Sequence, residues 1–577
     1  MTGPLVLDRT LSTEFVPGTN LNGELACVDW RFLLPSLQFQ SVLFVGVPSL
    51  STLLVLSKFC RLLFVASNDA PKLQELQAEC RQREVSNVLP VAVARFDNLP
   101  FGRRSMGLIL LRRDNGRFDL IESAATILEL SRILDPDGAV YFEVNGLFDG
   151  VLAARLRAAL PALQFGAPQV LWLTPQSGEM RTAAPLQSRE VAKHLIGGVI
   201  LGQSSRSRTY ARIGLLLAHL GLLPLVFRRR AMVIRHAQTK ARNSVPHYLL
   251  SLGHENGIDL GEYQWSLSVR GKYNSNKVIF FLFKNSEEKP TAVVKLTRTA
   301  EFNYRLQNEY DALSMLSERA WTDRGAVPRP WFFGYRHGLA VLCQEAVDGQ
   351  PFRTRTTGEA DCPLARAAIT CITQLGSASA HHSAALGCRI AGALNQLLSR
   401  FAAIYEPSGE ELSFLKAQIA TFDDPYAQIP LVFQHGDPGT WNIMVSENGK
   451  ISLIDWEAGD PNGMPLWDLL YFIRSFGSWI SRRRRFRDSL KGFARNFLEP
   501  SPLSALLTEA TSWYCVCVGL DEKFIEPLFY TCWMHRAIKE STRLNPSSVR
   551  SGHYVNLLRL CMSRRDTSPL RLMFSKK

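Results

Sequence analysis

From about residue 40 to 150, short unbroken apolar runs alternate with amphipathic stretches. "SVLFVGV", "RLLFVAS", "VLPVAVARF", "MGLILLRR" and "AVYFEVNG" predict strands, the first of them buried. "TLLVLSKF", "APKLQELQAECRQREV" with Pro71 at its start, and "FDLIESAATILELSRILD" ended by "DPDG" predict helices. Strand–helix alternation of this kind implies a parallel, doubly wound sheet, an α/β Rossmann-like domain over residues 1–184. Residues 185–257 are more basic and less patterned, and read as a helical connector. From Ile258 the pattern becomes strand-rich: "YQWSLSVRG", "KVIFFLF" and "TAVVKLTR", a helix over "EFNYRLQNEYDALSMLSERA", then "WFFGYR" and "LAVLCQEAV". After Asp348 it is mostly helical, interrupted by a polar loop, "FQHGDPGTWNIM", and a hairpin pattern, "WNIMVSENGKISLIDWE". There is no internal repeat.

Composition changes this picture little. A chain of 577 residues exceeds one hydrophobic core and implies two or three domains. With 46% hydrophobic and 20% charged residues it is a folded protein. The net charge of +14 suits anionic partners such as nucleotides or acidic surfaces. Nucleic acid is not an expected partner, because no RRM-like, helix-turn-helix or zinc pattern accompanies the charge. The 11 cysteines form no CxxC pair and read as reduced thiols, and the N-terminus lacks a basic-then-apolar leader, so a cytoplasmic location is expected. Two basic segments, 211–230 and 481–497, are candidates for peripheral membrane contact. A buried helix and a solvated helical face are the commoner explanations of such sequences. Oligomeric state is not written in the pattern.

The polar loop and hairpin carry the chemistry. The Asn-Gly in "SENGK" is a strong hairpin turn signal, and a hairpin brings its ends together. Asn442 at its entry and Asp455 at its exit therefore offer neighbouring oxygen ligands of the kind Mg²⁺ prefers, with Asp437 one loop earlier to accept a hydroxyl proton. "HGDPGTWN" with "LIDWE" resembles the aminoglycoside phosphotransferase and choline kinase family, whose signature is H-G-D-x-x-x-x-N followed by I-D-W/F-E. The resemblance implies a bilobal, α+β protein-kinase-like domain using ATP and Mg²⁺, with an N-lobe over 258–348 and a helical C-lobe over 349–577. It implies Asp437 as catalytic base and Asn442 and Asp455 as catalytic metal ligands. His435 and Gly436 would hold the loop, supported by Asp468 in "GMPLWDLLYF".

A kinase-like N-lobe needs a strand lysine that reaches the phosphates and is paired to a helix glutamate. Lys295 in "AVVKLTR" is the candidate. Glu309 shares a helix face with Leu306 and Leu313 and is the expected partner, with Glu301 competing. "VRGKYNSNKVIFFLF" offers Gly271, Asn274, Ser275 and Asn276 as a phosphate loop, without the Gly-rich pattern of protein kinases, and "LCQEAVDG", with Glu345, would be the nucleotide hinge.

The first domain resembles class I S-adenosylmethionine-dependent methyltransferases through "FDNLPF" and "RILDPDGAVYFEV". It departs from them where the cofactor would bind. "FVGVPSLS" keeps only Gly46, with Pro48 and Ser49 where close backbone approach is needed, and the ribose-binding acid is missing, Asp69 coming too late. A decayed scaffold or protein-binding domain is expected. The function implied is ATP-dependent phosphorylation of a hydroxyl on a small molecule or glycan. The domain order also resembles bacterial methyltransferase–kinase enzymes that cap polysaccharides, so a bifunctional enzyme acting on a chain end is one alternative. A non-catalytic assembly protein is the other.

Overall fold

The computed structural model describes residues 25–111, 124–145, 165–166, 168–175, 178–185, 189–196, 214–217, 219–220, 229–236, 245–269, 277–284, 287–321, 323, 325–381, 386–424 and 428–575. The chain divides into two compact units. One is drawn from Asn20–Asn303 and Trp331–Ala346, the other from Tyr304–Pro330 and Val347–Lys577.

The first unit is built on a single mixed sheet. Its strands are β1 (Phe39–Val45), β2 (Cys60–Ser67), β3 (Val88–Ala92), β4 (Met106–Leu111), β5 (Leu134–Asn145), β6 (Gln169–Thr174), β7 (Thr182–Pro185), β8 (Arg229–Ile234), β9 (Gln264–Ser268), β10 (Lys277–Phe283), β11 (Ala292–Thr297), β12 (Pro330–Arg336) and β13 (Leu339–Glu345). The order across the sheet is β12-β13-β11-β10-β9-β7-β6-β8-β5-β4-β1-β2-β3. Strands β1 to β5 are mutually parallel, with the order reversing between β1 and β4 as in a doubly wound fold. Both faces are covered, which explains the unbroken apolar runs. In β1, Val42 and Phe44 join the core containing Val28, Trp265 and Phe280, whereas Leu43 and Val45 join the core containing Ile127, Leu130 and Met232.

Three details differ from the sequence expectations. Asp135–Gly138 does not separate helix from strand. The helix ends at Ile133, β5 begins at Leu134, and the extra residues form an irregularity between the pairs Met106↔Leu134 and Leu108↔Ala139. Residues 185–257, expected as a helical connector, contain β8, which pairs antiparallel with β5 on one side and β6 on the other. Its six residues, with arginines at the first two positions, are too short and too charged to announce a central strand. Lastly, β9 pairs with β7 through Thr182↔Ser268 and Ala183↔Leu267, so strands expected in two domains form one sheet.

The second unit is mainly helical. Its core includes Phe352, Leu394, Leu453, Trp456, Phe472, Phe476, Phe529 and Trp533. The arginine run 481–497 is not one helical face. The helix Trp467–Arg483 ends there, Arg485 takes a left-handed φ of 60°, and Asp488 caps a new helix, Ser489–Phe493, by accepting from the Leu490 and Lys491 N–H groups. No helix among the described residues is long and apolar enough to cross a membrane. Most of 211–230 lies outside the described residues.

Candidate active site

The hairpin forms as the turn signal requires. With β14 at Gln350–Pro351 and β15 at Val432–Gln434, its strands are β16 (Ile443–Val445) and β17 (Ile451–Leu453), paired Ile443↔Leu453 and Val445↔Ile451. Gly449 in the turn has φ 83°. One step outside the ladder, the Ile454 N–H donates to the Asn442 carbonyl at 2.9 Å, so Asp455 follows directly on the residue bonded to Asn442. Asp455 has φ 73°, a conformation unusual for a residue with a side chain and one that turns the chain out of the strand.

The loop before the hairpin is over-determined. Gly436 has φ 77°, and a Cβ there would meet the Ala458 carbonyl at 2.2 Å, so only glycine fits. Asp468, buried in the first turn of Trp467–Arg483, accepts from the His435 N–H through Oδ2 and from the Gly436 N–H through Oδ1 at 3.1 Å. Burial pushes its carboxyl pKa up, against the opposing pull of His435 and of these two bonds. His435 Nδ1 accepts from the Asp437 N–H at 3.2 Å, which leaves Nε2 to donate to the Ile454 carbonyl at 3.0 Å. His435 and Asp468 thus hold the loop, as the resemblance implies, and His435 also ties it to the hairpin exit.

Asp437 and Asn442 are brought together. Asn442 Nδ2 donates to the Asp437 carbonyl at 2.9 Å and faces Asp437 Oδ2 at 3.4 Å. Both partners are acceptors, which fixes the amide orientation and leaves Oδ1 as the oxygen available to a hard cation. The donor set of Asn442 and Asp455, one amide oxygen and one carboxylate, suits an Mg²⁺ whose remaining ligands are phosphate and water. Among the described residues no group of three or more His, Cys, Asp or Glu is arranged to hold a metal by itself.

Around Asp437 stand residues that the sequence pattern did not single out. Arg536 Nη1 lies 3.6 Å from Asp437 Oδ1, with its guanidinium stacked 3.3 Å from the Tyr471 ring centroid. Lys539 Nζ donates to the Gly436 carbonyl at 3.2 Å. Trp441, substantially exposed, directs Nε1 toward Asp437 Oδ2 at 3.4 Å and lies against the Arg353 guanidinium, 5.1 Å from its ring centroid. Arg353 Nε donates to Thr440 Oγ1 at 2.8 Å. Arg536 and Lys539 lie about a hundred residues beyond the loop, where no local pattern could attach them to it.

Glu309 is fully buried between Leu306 and Leu313 on the helix Asn303–Glu318, as its spacing requires, whereas Glu301 is exposed. Glu309 Oε1 accepts from the Trp456 N–H at 3.3 Å and so steadies the backbone next to Asp455. Asn308 Nδ2 adds bonds to the Glu457 and Gly459 carbonyls at 3.1 and 2.9 Å. Lys295 and Glu345 belong to the sheet unit. Lys295 is buried in β11 opposite Leu342, and Glu345 ends β13 exposed, opposite Ala292. Gly271, Asn274, Ser275 and Asn276 lie outside the described residues.

Residues 270–498 match the model of the APH family, described as "Phosphotransferase enzyme family". Among solved structures, the aminoglycoside phosphotransferase APH(3'')-Id from Streptomyces rimosus aligns at 16% identity, covering 52% of this chain and 98% of that one, with a TM-score of 0.31. The YcgJ protein from Bacillus subtilis aligns at 16% identity over 38% of this chain and 99% of that one, with a TM-score of 0.24. A SAM-dependent methyltransferase from Aquifex aeolicus aligns at 14% identity over 25% and 87%, with a TM-score of 0.20. No curated protein matches the chain.

Proposed function

We propose, from the premise that residues 270–498 are a phosphotransferase-family domain, that the protein transfers the γ-phosphoryl group of ATP to a hydroxyl of a small molecule or glycan. The observation that carries this reading is the loop itself. Asp437 presents a partly exposed carboxylate from a backbone fixed by His435, Gly436 and Asp468, and Asn442 is oriented by Asp437 with its amide oxygen left over. Asp437 takes the proton of the attacking hydroxyl. Asn442 and Asp455 are the residues that would hold Mg²⁺, which supplies charge neutralisation at the phosphate oxygens. Lys295, the segment from 270 to 276 and the end of β13 are the proposed nucleotide contacts of the sheet unit, as the resemblance implies. A purely non-catalytic role is disfavoured because both candidate metal ligands and the base are retained in this setting.

The test is ATP binding followed by thermal shift, with and without Mg²⁺. Asp455→Ala is expected to abolish the Mg²⁺-dependent increment, because Asn442 alone is a neutral and weak ligand. If Mg²⁺ raises the melting temperature of ATP-loaded Asp455→Ala as it does that of the unaltered protein, another residue holds the ion.

The Rossmann-like strands are proposed to serve as scaffold and not as a methyl-transfer site. Ser49 caps the helix Leu50–Leu56, and Asp69 caps Ala70–Gln82 while pairing with Lys72 at 2.8 Å, so the acid nearest the end of β2 is already engaged. Pro48 also removes a backbone N–H where the cofactor would lie. Loss of two ribose hydrogen bonds, at about 1–3 kcal/mol each, would weaken S-adenosylmethionine by roughly a hundredfold or more. Calorimetric titration of the full chain is expected to show no micromolar site, and finding one would make the protein bifunctional.

A further inference from the structure

The carboxylate of Asp437 has two differently furnished edges. Oδ2 faces Asn442 Nδ2 and Trp441 Nε1. Oδ1 faces Arg536. If Asn442 lies on the nucleotide and metal side, the Arg536 edge is the side from which the acceptor approaches, and that side is cationic. Arg536 and Lys539 lie at i and i+3 in the last turns of the helix Ile525–Ser541, and Arg543 follows two residues past its end, in a turn closed by its N–H donating to the Glu540 carbonyl at 2.9 Å.

Arg536 is accounted for by its carboxylate and its aromatic platform. Lys539 is not. Its ammonium is half-buried, and among the described residues its hydrogen bond is to the Gly436 carbonyl, with no carboxylate at ion-pair distance. Arg536 pushes against its charge, Asp437 supports it, and Arg543 and Glu457 add smaller effects of opposite sign. Burial, together with Arg536, pushes its pKa down to about 8. Keeping a cation in such a place is costly unless an anion completes it. An ammonium with donors to spare, held at the Gly436 carbonyl next to the candidate base and in the field of two guanidinium groups, is suited to a phosphate or carboxylate and hostile to an amine.

We propose that the acceptor is itself an anion, a hydroxyl-bearing molecule that already carries a phosphate or carboxylate held by Lys539 and Arg543, with the buried Arg536 contributing its charge. The inference rests on the phosphotransferase reading. In the reaction the acceptor oxygen forms a bond to the γ-phosphorus, the bond from that phosphorus to the β–γ bridging oxygen breaks, ADP leaves, and the hydroxyl proton passes to Asp437. The acceptor's own anionic group takes no covalent part and serves to place the hydroxyl.

The experiment begins with ADP and Mg²⁺ binding to the full chain. The ADP-loaded protein is then titrated calorimetrically with matched probes, namely glycerol against glycerol 3-phosphate, and glucose against glucose 6-phosphate, glucuronate and glucosamine. Phosphate or carboxylate members are expected to bind at least about tenfold tighter than their neutral parents, the scale of one charge-assisted hydrogen bond, with glucosamine weakest. The glucuronate and phosphate arms separate the two anion chemistries. Lys539→Gln and the exposed Arg543→Gln should each remove most of that advantage while ADP affinity stays within about twofold; Arg543→Gln carries little risk to folding. The advantage should also shrink between about pH 7.5 and 9.5, as Lys539 loses its proton. Neutral or aminated probes binding as tightly as anionic ones would overturn the proposal, as would no anionic probe binding at millimolar concentration or both variants keeping the full advantage. Failure of ADP to bind at all would instead strike the phosphotransferase reading on which it rests.

Discussion

Asp437→Asn is expected to lower phosphoryl-transfer turnover by a factor on the order of 10² or more while leaving the Kd for ATP within about twofold. The substitution keeps the shape of the side chain and removes its proton-accepting charge. The backbone should not move, because it is held by bonds that the substitution would not disturb, from the His435 and Gly436 N–H groups to Asp468 and from the backbone N–H of position 437 to His435. The new amide cannot satisfy both edges. Turned one way, its NH₂ faces the Trp441 and Asn442 donors; turned the other, it faces the Arg536 guanidinium. The first choice keeps an acceptor toward the cation and is favoured. A hundredfold loss corresponds to about 2.7 kcal/mol of transition-state stabilisation, at about 1.36 kcal/mol per factor of ten. The lower end of the general-base range is the appropriate scale, because a loose phosphoryl-transfer transition state asks little of its base. Single-turnover transfer of labelled γ-phosphate, with ATP binding measured on the same preparation, separates chemistry from affinity. Turnover within a few-fold of the unaltered protein would remove Asp437 from the role of base.

How far the sequence discloses this site depends on the range of the interactions. The loop and hairpin are local: Asp437, Asn442 and Asp455 fall within one turn-and-hairpin unit, and the Asn-Gly signal alone fixes which residues face each other. Glu309 is legible because Leu306 and Leu313 mark its helix face as buried. Arg536 and Lys539 are not legible, since a basic residue on a helix looks the same whether it faces water or a loop far back in the sequence. Their relation to Asp437 exists only once the helix Ile525–Ser541 is packed. In the sheet, apolar runs disclose strands β1 to β5 and their parallel order. Strand β8 is hidden by the arginines at its first two positions, one of which, Arg229, is used internally, pairing with Glu143 at 2.9 Å. Pairing of β7 with β9 is invisible for a different reason: four residues, "TAAP", carry too little hydrophobicity to announce a strand that bridges two halves of a sheet.

That bridge leads to the second large effect. The fragment 256–577 should not fold as an independent protein, although a boundary near 257 is what the sequence pattern invites. Strand β9 would lose β7 and become an open edge with Trp265 and Leu267, both fully buried in the whole chain, deprived of neighbours. Val28, Phe32, Tyr248, Leu249 and Leu252 belong to the same core as Trp265, Phe280 and Val341, and all five would be gone. Exposing a large apolar side chain forfeits about 1.5–3 kcal/mol, so a few such losses already approach the whole stability of a domain, about 5–15 kcal/mol. A buried charge would also be stranded. Arg298, just past β11, donates to Asp29 Oδ2 and to the Val269 carbonyl, each at 2.7 Å, and its own carbonyl accepts from Arg31 Nη2 at 2.6 Å. Removing one partner of a buried pair costs about 3–5 kcal/mol, because the remaining ion has no water to replace it. The fragment is therefore expected to be insoluble, or to show no cooperative thermal transition by circular dichroism, under conditions where the full chain melts sharply. A soluble fragment that melts cooperatively within about 5 °C of the full chain, a shift of only about 3 kcal/mol for a unit of this size, would mean that the shared sheet contributes little. The scaffold assigned to the first 255 residues would then be a passenger domain.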